Sequence, residues 1–326
     1  MVLRATIAGC GGYLPAQRLS NDELAALKGL ETSDAWIRER TGIGYRHFAA
    51  AEETASDLGA AAAREALARA GADAAEVDAI LVATSTPDSG FPATAVRIQA
   101  KLGITRGFAF DMSAACTGFI YALAVADSLI RVGQARSVLV IGTEVYSRIL
   151  DWTDRSTCVL FGDGAGAVLL RAEEGGGTNA DRGILSCHLH SDGRFGDILH
   201  IEGGAGSTGG PGLLRMAGRE VFRHAVTKLA AVVDEALDAN GLGHEDVRWL
   251  VPHQANLRII EAMGRKLHLP PERVVVTVDR HANTSAASIP LALAEACGDG
   301  RIRPGDLAVL EAIGGGLTWG ASIVRF

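Results

Sequence analysis

The sequence predicts an α/β protein built from two duplicated halves, residues 1–174 and 175–326. Three observations lead there: a composition suited to close-packed layers, an internal repeat at a near-constant offset, and strands alternating with helices in both halves. The chain has 326 residues, 48% hydrophobic and 21% charged, with 40 glycines and only 5% aromatics. That length can fill two fused cores, and so apolar a composition is not that of a disordered chain.

In the first half, Glu65-Ala66-Leu67 lies in a helical run, Gly71 stops it, and Val77-Asp78-Ala79-Ile80-Leu81-Val82 reads as a buried strand. The same order returns 170 residues later in Glu235-Ala236-Leu237, Gly241 and Val247-Arg248-Trp249-Leu250-Val251. At that offset Ala122-Leu123-Ala124 matches Ala292-Leu293-Ala294, which makes Ser113–Gly118 the counterpart of Asn283–Ser288. The halves also close alike, with Gly166-Ala167-Val168-Leu169-Leu170-Arg171 against Gly320-Ala321-Ser322-Ile323-Val324-Arg325. Any one match can arise by chance in an alanine-rich chain; a shared order at a mostly shared offset points to duplication. The polar, glycine-rich stretch Glu174–Asn179 marks the boundary. A site at the junction of two such halves would draw residues from both.

A net charge of −7 argues against general nucleic-acid binding, which needs a basic field. The five cysteines, Cys10, Cys116, Cys158, Cys187 and Cys297, are odd in number, scattered and in no metal-ligand spacing. No metal is expected, and a reducing cytoplasm fits best. Gly9, Gly11 and Gly12 interrupt the first segment, which speaks against a signal peptide, and no run approaches the roughly 20 apolar residues of a spanning helix. The expectation is a soluble, cytoplasmic protein without membrane contact.

Candidate chemistry begins at Cys116. The strand-like Phe108–Met112 leads through Ser113-Ala114-Ala115 to the cysteine, and Ile120–Asp127 reads as helix. A thiol at a helix N-terminus is expected to have a pKa below the usual value of about 8.5. On this segment alone a buried structural cysteine is the commoner outcome, and both readings stand. Phe161–Gly166 matches a dinucleotide fingerprint only loosely and precedes a strand, Ala167–Leu170, rather than a helix, which rejects nucleotide binding there. Ser191–Gly212 is a long irregular region, readable as a lid over a site or as a plain insertion.

His253 stands where the apolar Leu250-Val251-Pro252 turns polar, at the kind of strand end where α/β sheets place binding groups. A satisfied structural histidine is the alternative. Asn283, followed by Thr284-Ser285, is by itself a turn or N-cap residue; the repeat sets its loop opposite the Cys116 loop, so both should face one junction. Gly314-Gly315-Gly316 lacks the Lys-Ser/Thr of a phosphate loop, and its glycines either bring a backbone amide to a ligand as an oxyanion donor or make a tight turn. Converging Cys, His and Asn suit attack on a thioester, with two donors holding the oxygen of a second thioester as it becomes an enolate. Residue types alone leave open a hydrolase in which the histidine is the base.

Thr32-Ser33-Asp34-Ala35-Trp36-Ile37 with Arg40-Thr41-Gly42-Ile43, then Ala114–Phe119, Phe161–Gly166, Pro252–Asn256, His281–Ser288 and Gly314–Gly320, together resemble bacterial β-ketoacyl-acyl-carrier-protein synthase III, in order and over nearly the whole chain. The resemblance implies a five-layer αβαβα thiolase-like fold, usually a homodimer, with acyl-CoA as substrate and no cofactor. It implies that a short acyl-CoA primer, often acetyl-CoA, acylates Cys116. Malonyl-acyl-carrier protein then decarboxylates to an enolate that attacks the acyl-enzyme, initiating fatty acid synthesis. His253 and Asn283 would stabilise the enolate, and the amides of Cys116 and Gly315 would form the oxyanion hole. Trp36 would stack on the CoA adenine with Thr32, Arg40 and Arg155 around it, while Met216, Gly218, Phe222 and Asn256 would line the pantetheine channel.

Gln254, Ala255, Asn256, Leu257 and Arg258 would meet the carrier protein. Arg258 and Arg265, seven apart with Lys266 beside them, also make one basic helical face by spacing alone, as an ordinary solvated helix does. Phe91 would cross the dimer to floor the partner subunit's acyl pocket, and Ile313 would lie beside the active site. Ile313 replaces a Phe of the best-known members and Arg219 an Asn of some, so a strict acetyl preference does not follow from the resemblance.

Three rival readings differ in what they predict. A starter-unit ketosynthase or acyltransferase of secondary metabolism, using another primer or acceptor, differs in product. A cysteine hydrolase yields free acid and no condensation. A non-catalytic acyl-binding subunit would lack the nucleophile, and Cys116 is present.

Overall fold

A computed structural model describes residues 1–204, 206–207 and 211–326. The first half runs β1 (Val2–Tyr13), β2 (Gln17–Ser20), α1 (Asn21–Lys28), α2 (Asp34–Thr41), β3 (Tyr45–Phe48), α3 (Ala55–Ala70), β4 (Ala79–Ala83), α4 (Thr94–Lys101), β5 (Phe108–Met112), α5 (Gly118–Arg131), β6 (Ser137–Glu144), α6 (Arg155–Cys158) and β7 (Gly164–Gly175). The second runs β8 (Gly183–Ser191), β9 (Leu199–Gly203), β10 (Pro211–Met216), α7 (Gly218–Asp238), β11 (Trp249–Pro252), α8 (Leu257–Lys266), α9 (Val278–His281), α10 (Ser288–Gly298), β12 (Leu307–Gly314) and β13 (Thr318–Arg325).

Two mixed sheets form, in the orders β1-β7-β6-β4-β5 and β11-β12-β13-β8. β4, β6, β11 and β12 are buried at every position, which is why they read as continuous apolar runs rather than alternating ones. Their side chains still divide by face. Leu81, Val138 and Val140 join Val251, Ala308 and Leu310 in one core around α5 and α10. Ile80, Val82, Leu139 and Ile141 turn to the other side, against α3 and α4, while Leu250, Val309 and Ile323 pack against α7 and α8. The layers are therefore α3/α4, first sheet, α5/α10, second sheet and α7/α8, the αβαβα order implied by the resemblance.

The repeat is visible in the backbone. β6 begins and ends at 137 and 144 and β12 at 307 and 314, both 170 apart, and α5 and α10 start at 118 and 288. Short 3-10 turns precede those two helices at Ala115–Thr117 and Ser285–Ala287. Each turn opens on a non-glycine residue at positive φ, Ala115 at 46° and Ser285 at 50°. The second turn presses onto the first sheet where β6 carries Gly142, whose missing Cβ would stand 2.1 Å from Ala286 O.

The region read as irregular, Ser191–Gly212, is more ordered than expected: a 3-10 stretch over Gly193–Ile198 leads into β9, which pairs antiparallel with β10. Residues 205 and 208–210 of this region, read as a lid or a plain insertion, lie outside the described residues.

Candidate active site

A cavity of about 970 Å³ opens at the junction of the halves. The first half contributes Ser85, Cys116, Tyr146 and Phe161 to its walls, and the second contributes His253, Asn283, Ile313 and Gly315. Cys116, only 5% exposed, lies in the 3-10 turn between β5 and α5. His253 follows the last residue of β11, its N–H bonded to Glu311 O at 2.8 Å. Asn283 is tied to the Phe161 segment by two backbone bonds, Asn283 N to Leu160 O at 2.9 Å and Gly162 N to Asn283 O at 3.0 Å. The duplication thus brings the cysteine and asparagine loops to one cavity, as their offset predicted.

The electrostatics correct one expectation. The thiol does not have a lowered pKa: burial pushes Cys116 up to about 12, with a hydrogen bond from Ser285 pulling it down and the charge of Glu144 adding to the rise. Desolvation outweighs what a helix N-terminus offers, because a thiolate in this wall is cut off from water. His253 moves the other way, pushed down to about 3 by burial, so its imidazole is neutral near pH 7. Its Nδ1 lies 2.6 Å from Ser288 Oγ, which also accepts from Gln254 N at 3.3 Å. Among the described residues the Ser288 hydroxyl finds no other acceptor, so giving its proton to Nδ1 satisfies it and leaves the ring proton on Nε2. Asn283 is oriented in the same manner: Oδ1 accepts from Ser285 N at 2.8 Å, which makes Nδ2 the donor left to the cavity. The site thereby presents one buried thiol and two neutral N–H donors.

The glycine turn closes against the cysteine. A Cβ on Gly314 would stand 2.7 Å from Cys116 N and 3.1 Å from Thr117 N, so only glycine allows that approach. Thr318 Oγ1 donates toward Ala114 O at 3.1 Å, and Thr117 Oγ1 donates to Thr318 O at 2.9 Å, fixing the two loops together.

At the mouth, Arg40 and Arg155 place their guanidinium groups 4.6 and 5.1 Å from the Trp36 ring centroid. Arg258 donates to Glu39 O at 2.9 Å and Asn256 Nδ2 to Arg40 O at 3.2 Å, joining α8 to α2 beside the opening. Met216, Gly218, Arg219, Phe222, Ala255, Asn256 and Arg258 all line the cavity. Thr32, Arg155, Leu257 and Phe91 are not among its lining residues; Thr32 Oγ1 is buried without a partner, and Phe91 is 88% exposed on the outer surface. Gln254 requires a correction. It is 0% exposed, donates to Pro252 O and Val275 O, and accepts from Thr277 N and Val278 N, so it pins loops together and presents nothing to a partner.

Sequence reasoning missed Tyr146, stacked on Phe161 at 4.9 Å between centroids, and the serines Ser285 and Ser288. The repeat could have flagged Ser285, the counterpart of Ala115; nothing local marks the others. Among the described residues no cluster of His, Cys, Asp and Glu could hold a metal, and no helix is long and apolar enough to cross a membrane.

Comparison with known proteins agrees over the whole chain. Residues 110–193 match the family model for 3-oxoacyl-[acyl-carrier-protein (ACP)] synthase III, and residues 237–326 match the one for its C terminal part. The beta-ketoacyl-[acyl-carrier-protein] synthase III of Acidiphilium cryptum is 68% identical over 323 residues, covering 99% of each chain. The crystal structure of the 3-oxoacyl-[acyl-carrier-protein] synthase III of Aquifex aeolicus superposes with a TM-score of 0.92 at 46% identity, over 99% of this chain and 100% of that one. The priming beta-ketosynthase of the R1128 polyketide biosynthetic pathway superposes with a TM-score of 0.91 at 36% identity, over 99% and 96%.

Proposed function

The chain belongs to the 3-oxoacyl-acyl-carrier-protein synthase III family of condensing acyltransferases, and from that premise we propose the reaction it runs. A short acyl-CoA, acetyl-CoA foremost, passes its acyl group to Cys116 Sγ and CoA leaves. Malonyl-acyl-carrier protein enters the same channel and loses CO₂, and its enolate carbon attacks the acyl-cysteine carbonyl. The Cys116 sulfur departs and 3-oxoacyl-carrier protein is formed, the first condensation of fatty acid synthesis.

The observation that carries this reading is the pair of neutral donors in the cavity. An enolate oxygen is stabilised by preorganised N–H groups that give up no proton, and His253 Nε2–H with Asn283 Nδ2–H supplies two. A cysteine hydrolase needs its histidine to take a proton from the thiol near neutral pH; an imidazole held at about 3 is a poor base for that. The amides of Cys116 and Gly315 form the oxyanion hole for the acyl carbonyl. Trp36, Arg40 and Arg155 hold the nucleotide end of CoA near Thr32, and Met216, Gly218, Phe222 and Asn256 guide the pantetheine. Ala255, Leu257 and Arg258 receive the carrier protein, and the exposed Phe91 reaches the partner subunit's pocket in a cytoplasmic homodimer. No cofactor takes part.

The likeness to the R1128 priming enzyme favours one second reading, a starter-unit synthase with a different primer. Both are tested by incubating the protein with a series of acyl-CoA primers and malonyl-carrier protein and weighing the products. Acetoacetyl-carrier protein supports the fatty-acid reading, a longer or branched product supports the second, and free acid without any condensation product sinks both.

A further inference from the structure

A second cavity, of about 240 Å³, is lined by residues of both halves and shares none of them with the active site. Cys10 of β1 and Cys297, in the last turn of α10, both line it. Their sulfurs stand 3.8 Å apart, with the Cys10 S–H directed to Cys297 Sγ. A separation of 287 residues hides this pair in the sequence, where the five cysteines look scattered. The two thiols differ in access. Cys10 is 3% exposed, whereas Cys297 is half-buried, so a small solute in the cavity meets Cys297 first.

The last turn of a helix is the unfavourable end of the dipole for an anion, and the surroundings of Cys297 act against it. Arg69, Arg182 and Arg303 line the cavity, and among the described residues no acidic side chain does. Arg69 is fixed beside the cysteine: its Nη1 donates to Ala294 O at 2.6 Å, one turn back in α10. Gly298 leaves room for that guanidinium, since a Cβ there would stand 2.8 Å from Nη1. Glu65 takes the other nitrogen of Arg69, so Arg182 and Arg303 add to a field that Arg69 supplies only in part. The Cys10 donor pulls Cys297 below the ordinary thiol range, and the same bond, with burial, holds Cys10 well above it. One sulfur is thereby favoured as the thiolate and the other kept as the thiol, the division a nucleophile and its resolving partner need.

We propose that Cys297 and Cys10 are a redox pair that hydrogen peroxide converts to a disulfide joining the two halves. The Cys297 thiolate attacks one peroxide oxygen, the O–O bond breaks, and the departing hydroxide takes up a proton as water. Cys10 sulfur then displaces the oxygen of Cys297 S–OH, and the Cys10 proton leaves with it as a second water. Two electrons pass from the sulfurs to the peroxide oxygens, so two thiols and one peroxide give one disulfide and two waters. Bonded sulfurs lie about 2 Å apart, and the closing movement falls on the end of α10, where Gly298–Gly300 are exposed. The bond ties β1 to α10 across nearly the whole chain, and a thiol reductant releases it.

The test uses the folded Cys116→Ala protein, so that the active-site thiol does not enter the result. It is treated with a few equivalents of hydrogen peroxide at about pH 7.5, denatured in an alkylating reagent and mapped by mass. Two of its four remaining thiols should be lost, with the Cys10 and Cys297 peptides joined at about 2 mass units below their sum. Dithiothreitol should restore both. Cys10→Ser should leave Cys297 as a sulfenic acid trapped by dimedone, and Cys297→Ser should leave Cys10 unoxidised at the same dose. If neither variant folds, the peptide map of the parent carries the test. Both cysteines still alkylated after peroxide overturn the proposal, as do Cys297 acids without a link to Cys10, or a link between Cys297 residues of two chains.

Discussion

In the proposed reaction His253 serves as a donor because burial keeps it neutral, and the Ser288 hydroxyl against Nδ1 favours the tautomer with the proton on Nε2. Across about pH 5 to 8 the ring does not titrate, so no limb of the activity profile belongs to it. Ser288→Ala frees both tautomers and should slow condensation roughly tenfold or more while acylation continues, seen by timing the two half-reactions separately. Asn283→Ala deletes the second donor and should cost decarboxylation about 10²- to 10³-fold. Acyl-Cys116 should still accumulate by mass spectrometry. Equal losses in both steps would contradict this division of roles. The convergence of Cys116, His253 and Asn283 on one cavity was legible because Cys116 sits between a strand and a helix, His253 follows an apolar strand, and Asn283 is placed by the repeat. The direction of the Cys116 pKa was not, since it depends on how deeply folding buries the thiol, and neither was the burial of Gln254, which sits in a polar stretch of sequence.

Elements meet at this site through glycines as well as through side chains. A Cβ at Gly142 of β6 would lie 2.1 Å from Ala286 O, a backbone atom that no rotamer change can move. Gly142→Ala should therefore destabilise the protein by about 2–4 kcal/mol, measured by urea unfolding. Gly314→Ala drives a Cβ to 2.7 Å from Cys116 N and should cost more in acylation rate than in stability, because the strain falls on the cysteine turn. Strands buried on both faces and helices stopped by glycine were readable as elements, Gly71 at a φ of 58° ending α3 as expected. The β9–β10 hairpin was not. Its two short runs, Leu199-His200-Ile201-Glu202 and Leu213-Leu214-Arg215-Met216, flank a glycine-rich stretch whose composition reads as loop.

Over the whole molecule, the repeat made the duplicated α/β halves legible, while the five layers came with the family resemblance, because pairing of halves is not written in either half alone. The shared core has a consequence for pH. Burial lowers His253 to about 3 and His281 to about 4, and raises Glu144 to about 7 and Glu311 to about 8. As pH falls below about 6.5, the unfolded chain protonates those histidines before the folded one does, so stability drops toward acid. As pH rises from about 4.5, the unfolded chain releases the two glutamate protons that the fold still holds, so stability drops again until the folded groups titrate near 7 and 8. These four groups together place a stability maximum at about pH 5 to 6. Glu311 dominates the alkaline side, for its Oε2 is buried without a hydrogen-bond partner, and an ionised carboxylate there has nothing to replace water. Glu311→Gln mimics the protonated acid. It should leave the melting temperature near the wild-type value at about pH 5 and raise it by a few degrees at about pH 8.5. A lower melting temperature for the variant at the higher pH would mean that the carboxylate is held ionised by a partner in solution, and the alkaline loss would then have another source.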